Sequence, residues 1–403
     1  MCKCSKVLVF LVEMYHGVTL KLSAAVQGNW EEASKFRISC LKSEITPGKF
    51  TTLHWATLHG QDKFVEKLLR NLDTNDLRKQ TEAGDNALTF AASVGNLKIA
   101  QLLVNRDSEL VSIEAPDFPV ITAAKHRQRE LVKYLCPLTP MVKEPCEEAF
   151  SLLLWCIYNE LFDIALYILQ NNIPLATYTP DGRTALTELM TVPWAFESGN
   201  EFDNPIQQFV YDCMDVDVPE KSSNQTPNDI ESARQNFPKN EKSIKRRVPY
   251  LKNIYDEKVK HKQAKNLLKF ICDQVRTKGF DELGDINFFE ATFSAAKHGI
   301  YEFFEVVLEF YPDAIYWEDK SNKNYTVFDY AIENRRSNIF SLYYSSGTIK
   351  HFISGHMDKK DNNMLHIAAR MPDVGRLGRI TGSALQMQRE VQWYEVMICV
   401  FQT

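Results

Sequence analysis

The chain has 403 residues, 44% hydrophobic, 11% aromatic and 25% charged, with a formal net charge of −5. That balance excludes collagen-like and wholly disordered classes and gives no overall pull toward nucleic acid or an anionic membrane. Nine cysteines are scattered without a C-x-x-C pair, so zinc-ribbon, RING-type and thioredoxin-like sites have no basis, and reduced thiols are expected.

The N-terminal tail, 1–17, holds an apolar run from Val7 to Val12 that Glu13 closes. It is shorter than the core of a signal peptide and far shorter than the ~20 residues of a membrane span. No other stretch approaches that length, so a cytoplasmic protein is expected. The N-x-T sequons at Asn224 and Asn324 then read as chance matches. Cys2 and Cys4 have no adjacent anchoring signal that would favour acylation over free thiols.

Self-similarity organises the rest of the chain. TTLHWATLHGQDKFVEKLLRN from Thr51, NALTFAASVGNLKIAQLLVNR from Asn86 and FPVITAAKHRQRELVKYLCP from Phe118 align on Leu53, Leu88 and Val120, anchors 35 and 32 residues apart. The same frame takes in Lys21 before them, Leu152 and Leu186 after them, and then Thr292, Phe328 and Leu365, nine copies in all. Two residues before the anchor stand Thr19, Thr51, Asn86, Thr184, Thr326 and Asn363, side chains suited to cap a helix N-terminus. Three after it, Ala recurs (Ala56, Ala91 and Ala368 among others), small enough for paired helices to approach. Seven after it, Gly28, Gly60, Gly95 and Gly299 supply a left-handed stop; Arg127, Asn159, Pro193 and Arg335 stand there in weaker copies. A second amphipathic helix comes next, as in Val65, Leu68 and Leu69.

Cap, short helix, glycine turn and second helix at about 33 residues per unit is the ankyrin pattern. A generic helical solenoid has a different period or aromatic pattern, and the strings TTLHWA and NMLHIAA argue against it. The expected fold is all-α: an ankyrin-repeat α-solenoid in two blocks, helix–turn–helix repeats with short β-turn fingers, joined by a charged linker.

Composition shifts mark the blocks. Residues 197–240 carry nine acidic and three basic residues, net −6, whereas 241–280 carry twelve basic and four acidic, net +8. The chain therefore divides into a first block of about six copies over 18–190, a flexible polar linker over 191–250, and a basic helical segment over 251–283. A second block of about three copies covers 284–380, and a terminal helix 381–403. The KSIKRR run, 242–247, reads as a solvated face beside the acidic linker, with a nuclear signal or an acidic-lipid patch as alternatives. Without aromatic interleaving it does not support nucleic-acid binding.

The sequence has no G-x-x-x-x-G-K-[ST] loop, no strand-borne G-x-G-x-x-G, no G-x-S-x-G and no H-E-x-x-H. A non-enzyme without catalytic residues, metal or cofactor is expected. His54 and His366, one residue after their anchors, are expected to make polar contacts between neighbouring repeats; His54 and His59 lack the i,i+4 spacing of a helical ligand pair. Trp55 either looks onto the concave face or packs. Lys49, Glu82, Asp85, Asp181 and Arg183 fall at finger tips, and with Trp55 they are the candidate partner-binding residues. The expected partners are proteins, held by the concave face and finger tips.

FDYAIENRRSNIFSLYY, and above all DNNMLHIAARMPDV followed by GSALQMQREVQWYEV, resemble the plant ankyrin-repeat proteins whose C-terminus carries a membrane-spanning PGG domain. The resemblance runs over nearly the whole chain, but in this sequence MICVFQT follows Val396 where the family continues to a P-G-G segment and membrane helices. It implies a scaffold or adaptor in plant defence or stress signalling. For longer forms or assemblies with full-length relatives, it implies a place at the cytosolic face of the plasma membrane or an endomembrane, in a signalling or transport complex.

Overall fold

A computed structural model gives the architecture; it describes residues 18–113, 116–199, 205–216, 249–279, 282–320, 323–345, 355–371 and 382–402. The tail 1–17 and the basic run 242–247 lie outside the described residues, as do Cys2, Cys4 and Asn224. Two compact units are present; among the described residues the first ends at Ile164 and the second begins at Ala165. The sixth copy thus groups with the later ones, where the sequence placed the edge of the first block at 190.

The first unit is built from paired helices: α1 (Thr52–Leu58) with α2 (Asp62–Leu69), α3 (Ala87–Val94) with α4 (Leu97–Arg106), α5 (Pro119–Lys125) with α6 (Arg129–Leu135), then α7 (Glu147–Tyr158). Thr51 and Asn86 each accept the backbone N–H of the residue three further on, whose side chain takes the cap's own N–H in return. Thr19, expected as a cap, is itself helical. The first helix of a copy ends where the chain turns left-handed, at Gly60 (φ 68°), Gly95 (φ 84°) and, without glycine, Arg127 (φ 59°). There the amide after the turn reaches back five residues: Gln61 to Ala56, Asn96 to Ala91 and Gln128 to Ala123, at 2.9, 3.0 and 2.9 Å.

That bond corrects the register of the fifth copy. Leu161 donates to Cys156 at 2.8 Å and Glu160 is the left-handed residue (φ 60°), so the anchor is Leu153, one residue beyond the expected Leu152. Leu152, Leu153 and Leu154 are all buried, and three apolar residues in a row mark no unique slot. Cys156 takes the place of the small alanine. This copy also lacks a finger cap of the usual kind, because α7 begins at Glu147, capped by Cys146.

First helices stack on first helices (α1, α3, α5, α7) and second on second (α2, α4, α6). Leu53, Ala56, Leu88, Ala91, Val120, Ala123 and Leu153 are buried along the first row, and Phe64, Val65, Leu68, Ile99, Leu103, Leu131 and Leu135 along the second. Burying one large apolar side chain contributes about 1.5–3 kcal/mol, and here the burial is supplied both by the partner helix of the same copy and by the helices of adjacent copies. Polar side chains add stitches between copies. The Gln61 amide donates to the Val26 carbonyl at 2.7 Å, Gln128 to Ser93 at 3.4 Å and Asn159 to Ala124 at 2.8 Å. Each serves a carbonyl at the end of the preceding copy's first helix, where intrahelical donors run out.

In the second unit, α8 (Ala185–Leu189) is the first helix of the sixth copy. Pro193 occupies that copy's glycine slot and opens a 3-10 turn, Pro193–Ala195. A short helix, α9 (Pro205–Cys213), and a 28-residue helix, α10 (Pro249–Arg276), come next, with α10 packed against both α8 and α9. Pro249 opens α10 at a position where its missing N–H costs nothing. Ile254, Val259, Leu267, Leu268 and Ile271 form the buried stripe beneath its basic face. Then come α11 (Phe288–His298) with α12 (Tyr301–Val307), a two-stranded finger, β1 (Glu318–Asp319) antiparallel to β2 (Tyr325–Thr326), and α13 (Val327–Glu333) with α14 (Ser337–Phe340). The described chain ends with α15 (Met364–Ala368) and α16 (Ser383–Gln402).

The first helices α8, α11, α13 and α15 stack in that order, so the array continues through the insertion. Thr184, Thr326 and Asn363 cap as Thr51 does. Residues 191–199 and 205–216, expected to be flexible linker, instead bury Val192, Ala195, Phe196, Tyr211 and Val216. These apolar residues are too few and too irregularly spaced to show a period; Val216 finds its place on Tyr255 and Val259 of α10.

Candidate interaction surface

Fingers and first helices carry the candidate residues. In the first finger, the Ile45 amide donates to Phe50 at 2.7 Å and Lys49 to Thr46 at 3.0 Å, which forces Lys49 left-handed (φ 60°) and exposes its side chain. The next finger is tied to it by Glu82 N–H to the Gly48 carbonyl, 2.9 Å, and closes on itself by Thr81 N–H to Asp85 O, 2.8 Å. Lys49, Glu82 and Asp85 therefore sit on adjacent, hydrogen-bonded fingers. Asp181 and Arg183 lie in the second unit, both exposed, beside the turn Pro180–Gly182 in which Asp181 has φ 53°.

His54 is a structural link. Its Nδ1 accepts the Thr51 N–H at 3.1 Å, which leaves the proton on Nε2 to donate to the Lys79 carbonyl of the next copy's finger at 3.1 Å. Burial pushes its pKa down to about 4 and keeps the ring neutral. His366 repeats the capping half with Asn363, its ring exposed. Thr51, Leu53, Ala56, Asn86, Leu88, Ala91 and Ala368 are buried, as their repeat roles require, while Leu365 is half-buried.

Of the two alternatives for Trp55, the structure shows packing, with the ring still partly exposed. Half-buried, it packs on Phe50 (ring centroids 5.2 Å) and stacks on exposed His59 (6.0 Å). Phe50 continues to Phe90 at 5.5 Å, and Phe90 fills in the next copy the slot that Trp55 fills in its own. Two copies on, in the corrected register, Trp155 takes that slot beside exposed Tyr158, 6.2 Å away. Lys125 lies 5.6 Å over the Trp155 ring and pairs with Asp117 at 2.5 Å. Burial, then the neighbouring charge of Asp117, pushes the Asp85 carboxyl up. First helices and fingers thus present aromatic faces flanked by carboxylates. Phe50, Phe90, Lys125, Trp155 and Tyr158 were missed as candidates; the slot of Trp55, followed from copy to copy, points to Phe90 and Trp155.

The family described as ankyrin repeats (three copies) matches residues 20–114. Residues 20–114 carry ankyrin repeats. Among solved structures, the ankyrin repeat domain of human ASB11 is similar, with a TM-score of 0.33 and 17% identity over 42% of this chain and 76% of that one. No curated protein matches the chain. Stacked first helices, left-handed turns and hydrogen-bonded fingers are the all-α ankyrin solenoid in this chain's own geometry. Among the described residues no helix is long and apolar enough to cross a membrane.

Proposed function

We propose that this chain is a non-catalytic scaffold or adaptor that binds a protein partner on the fingers and first helices of its first unit. The observation that carries this reading is the recurring aromatic slot, with Trp55, Phe90 and Trp155 half-buried and Val94 and Tyr158 exposed beside them. Half-exposed aromatic rings supply contact area at low entropic cost and are enriched at binding hot spots. Glu82 and Asp85 bias the partner toward a segment that combines apolar and basic side chains.

The narrower setting, plant defence or stress signalling beside a membrane, rests on the resemblance of the segments around Leu365 and Trp393 to the PGG-domain proteins. Affinity capture with mass spectrometry tests the reading. Trp55→Ala with Trp155→Ala, or Lys49→Glu with Glu82→Lys, should abolish capture while circular dichroism stays that of the parent. A partner still captured by every variant means that this face is not the binding surface.

A further inference from the structure

Away from the repeat slots, the second unit contains a cavity of about 850 Å³ walled by residues of 197–198 and 211–216, α10, α12, the turn from α13 into α14, and α16. That volume lies in the range of small-ligand pockets. Lys258, Lys262 and Lys265 project from one face of α10 at i, i+4 and i+7, and Arg335, Arg336 and Arg389 come from the other walls. Some of this charge is already neutralised: Lys265 pairs with Glu305 at 2.6 Å and Arg335 with Glu390 at 2.7 Å. The rest is not. Lys258 and Lys262 give their ammonium groups to backbone carbonyls only, those of Tyr211 (2.6 Å) and Val216 (2.5 Å), and exposed Arg389 pairs with no carboxylate among the described residues.

The same wall carries acceptors. Glu302 is occupied by the backbone N–H and hydroxyl of Ser198, whereas Glu197 and Asp215 enter no ion pair among the described residues. Burial, and then the Glu302 charge, pushes the Glu197 carboxyl up. Tyr211 is fixed to His261 through a 2.7 Å hydrogen bond under the Lys258 ammonium, 4.7 Å from its ring. A bare anion leaves the carboxylates unmatched, and a neutral sugar leaves the cations unmatched. We propose that this cavity binds a phosphorylated polyol, an inositol or sugar phosphate. Its phosphates lie against Lys258, Lys262 and Arg389, and its hydroxyls donate to Glu197 and Asp215. Charge-assisted bonds of both kinds are then satisfied at once.

Isothermal titration calorimetry of the full chain with inositol hexakisphosphate, fructose bisphosphate and inorganic pyrophosphate tests this. The two polyol phosphates should bind one site, more tightly than pyrophosphate and more weakly as salt rises. Lys262→Gln combined with Arg389→Glu should weaken them about tenfold or more, the loss of two charge-assisted contacts. Glu197→Gln with Asp215→Asn should weaken the polyol probes but not pyrophosphate. Arg389→Glu alone, at an exposed position without a carboxylate partner among the described residues, leaves the fold intact and should still cost about fivefold. Phosphatidylcholine vesicles with phosphatidylinositol bisphosphate separate the sources: retention competed by inositol hexakisphosphate assigns a lipid headgroup, and soluble binding without retention a soluble ligand. The proposal is overturned if no probe binds the parent chain, if pyrophosphate binds as tightly as the polyols, or if the cavity variants bind unchanged.

Discussion

Acid should weaken this fold through His54 before it touches the carboxylates. The ring is 1% exposed and neutral, its Nδ1 occupied by the Thr51 N–H and its Nε2–H by the Lys79 carbonyl. Its folded pKa is about 4 against 6.5 for the unbound side chain, burial being the main cause. Below about pH 6.5 the unfolded chain therefore takes up a proton that the folded chain refuses, and stability falls with pH until the folded ring also protonates near 4. At about 1.4 kcal/mol per pH unit across that window the loss totals about 3 kcal/mol. The full contribution is present above pH 6.5, and nothing further is lost below 4. Asp76 acts in a lower window: burial raises it, but hydrogen bonds from Lys42 and Lys79 outweigh that and hold it at about 2. Urea denaturation followed by tryptophan fluorescence, on the parent and His54→Gln across pH 7.5 to 4, isolates the effect. His261 and His298, also lowered chiefly by burial, are common to both proteins and cancel. The parent's curve should steepen relative to the variant's by about 3 kcal/mol over the window; parallel curves would refute the neutral, doubly bonded ring.

Gly95→Ala should destabilise by about 1–2 kcal/mol in the same assay, because φ is 84° and the new Cβ would run into the Gln128 side chain. Lys49→Gly should do the reverse and gain about 1 kcal/mol, by relieving a left-handed lysine without removing an ion pair among the described residues; a loss would mean that the side chain packs. Arg335 donates to the carbonyls of Ala368 (3.3 Å) and Arg370 (2.6 Å) and pairs with Glu390 on α16. Arg335→Gln should raise amide hydrogen exchange across 383–402 while leaving the first unit unchanged; equal protection of α16 would show that Trp393 and Met397 hold it unaided.

The repeats were readable because a cap, a small residue and a glycine recur at fixed offsets and each has one local purpose. Thr51, Asn86, Thr184, Thr326 and Asn363 all cap as their side chains dictate. Where local chemistry is degenerate, the register slipped. Leu152 to Leu154 share one burial state, and only a left-handed Glu160 reveals the frame. The stretches 191–199 and 205–216 hid their order because Phe196, Tyr211 and Val216 are defined by the surfaces they meet, α10 among them, and not by any spacing of their own. The finger residues Lys49, Glu82 and Asp85 followed from the turns; the aromatic run on the first helices required knowing which positions share a face. The cavity was invisible for the same reason, its walls being drawn from segments more than a hundred residues apart.

The stitches that Gln61, Gln128 and Asn159 make to Val26, Ser93 and Ala124 all run from a later copy to an earlier one. During synthesis, a first helix that has just left the ribosome still has unmet carbonyls at its end, and it is completed only when the next thirty-odd residues emerge. Where these stitches occur, growth of the array is thus vectorial: the second, fourth and fifth copies each finish their predecessor. A chain stalled within the first unit would carry one frayed helix end at its growing tip, where proteases and chaperones gain their first hold.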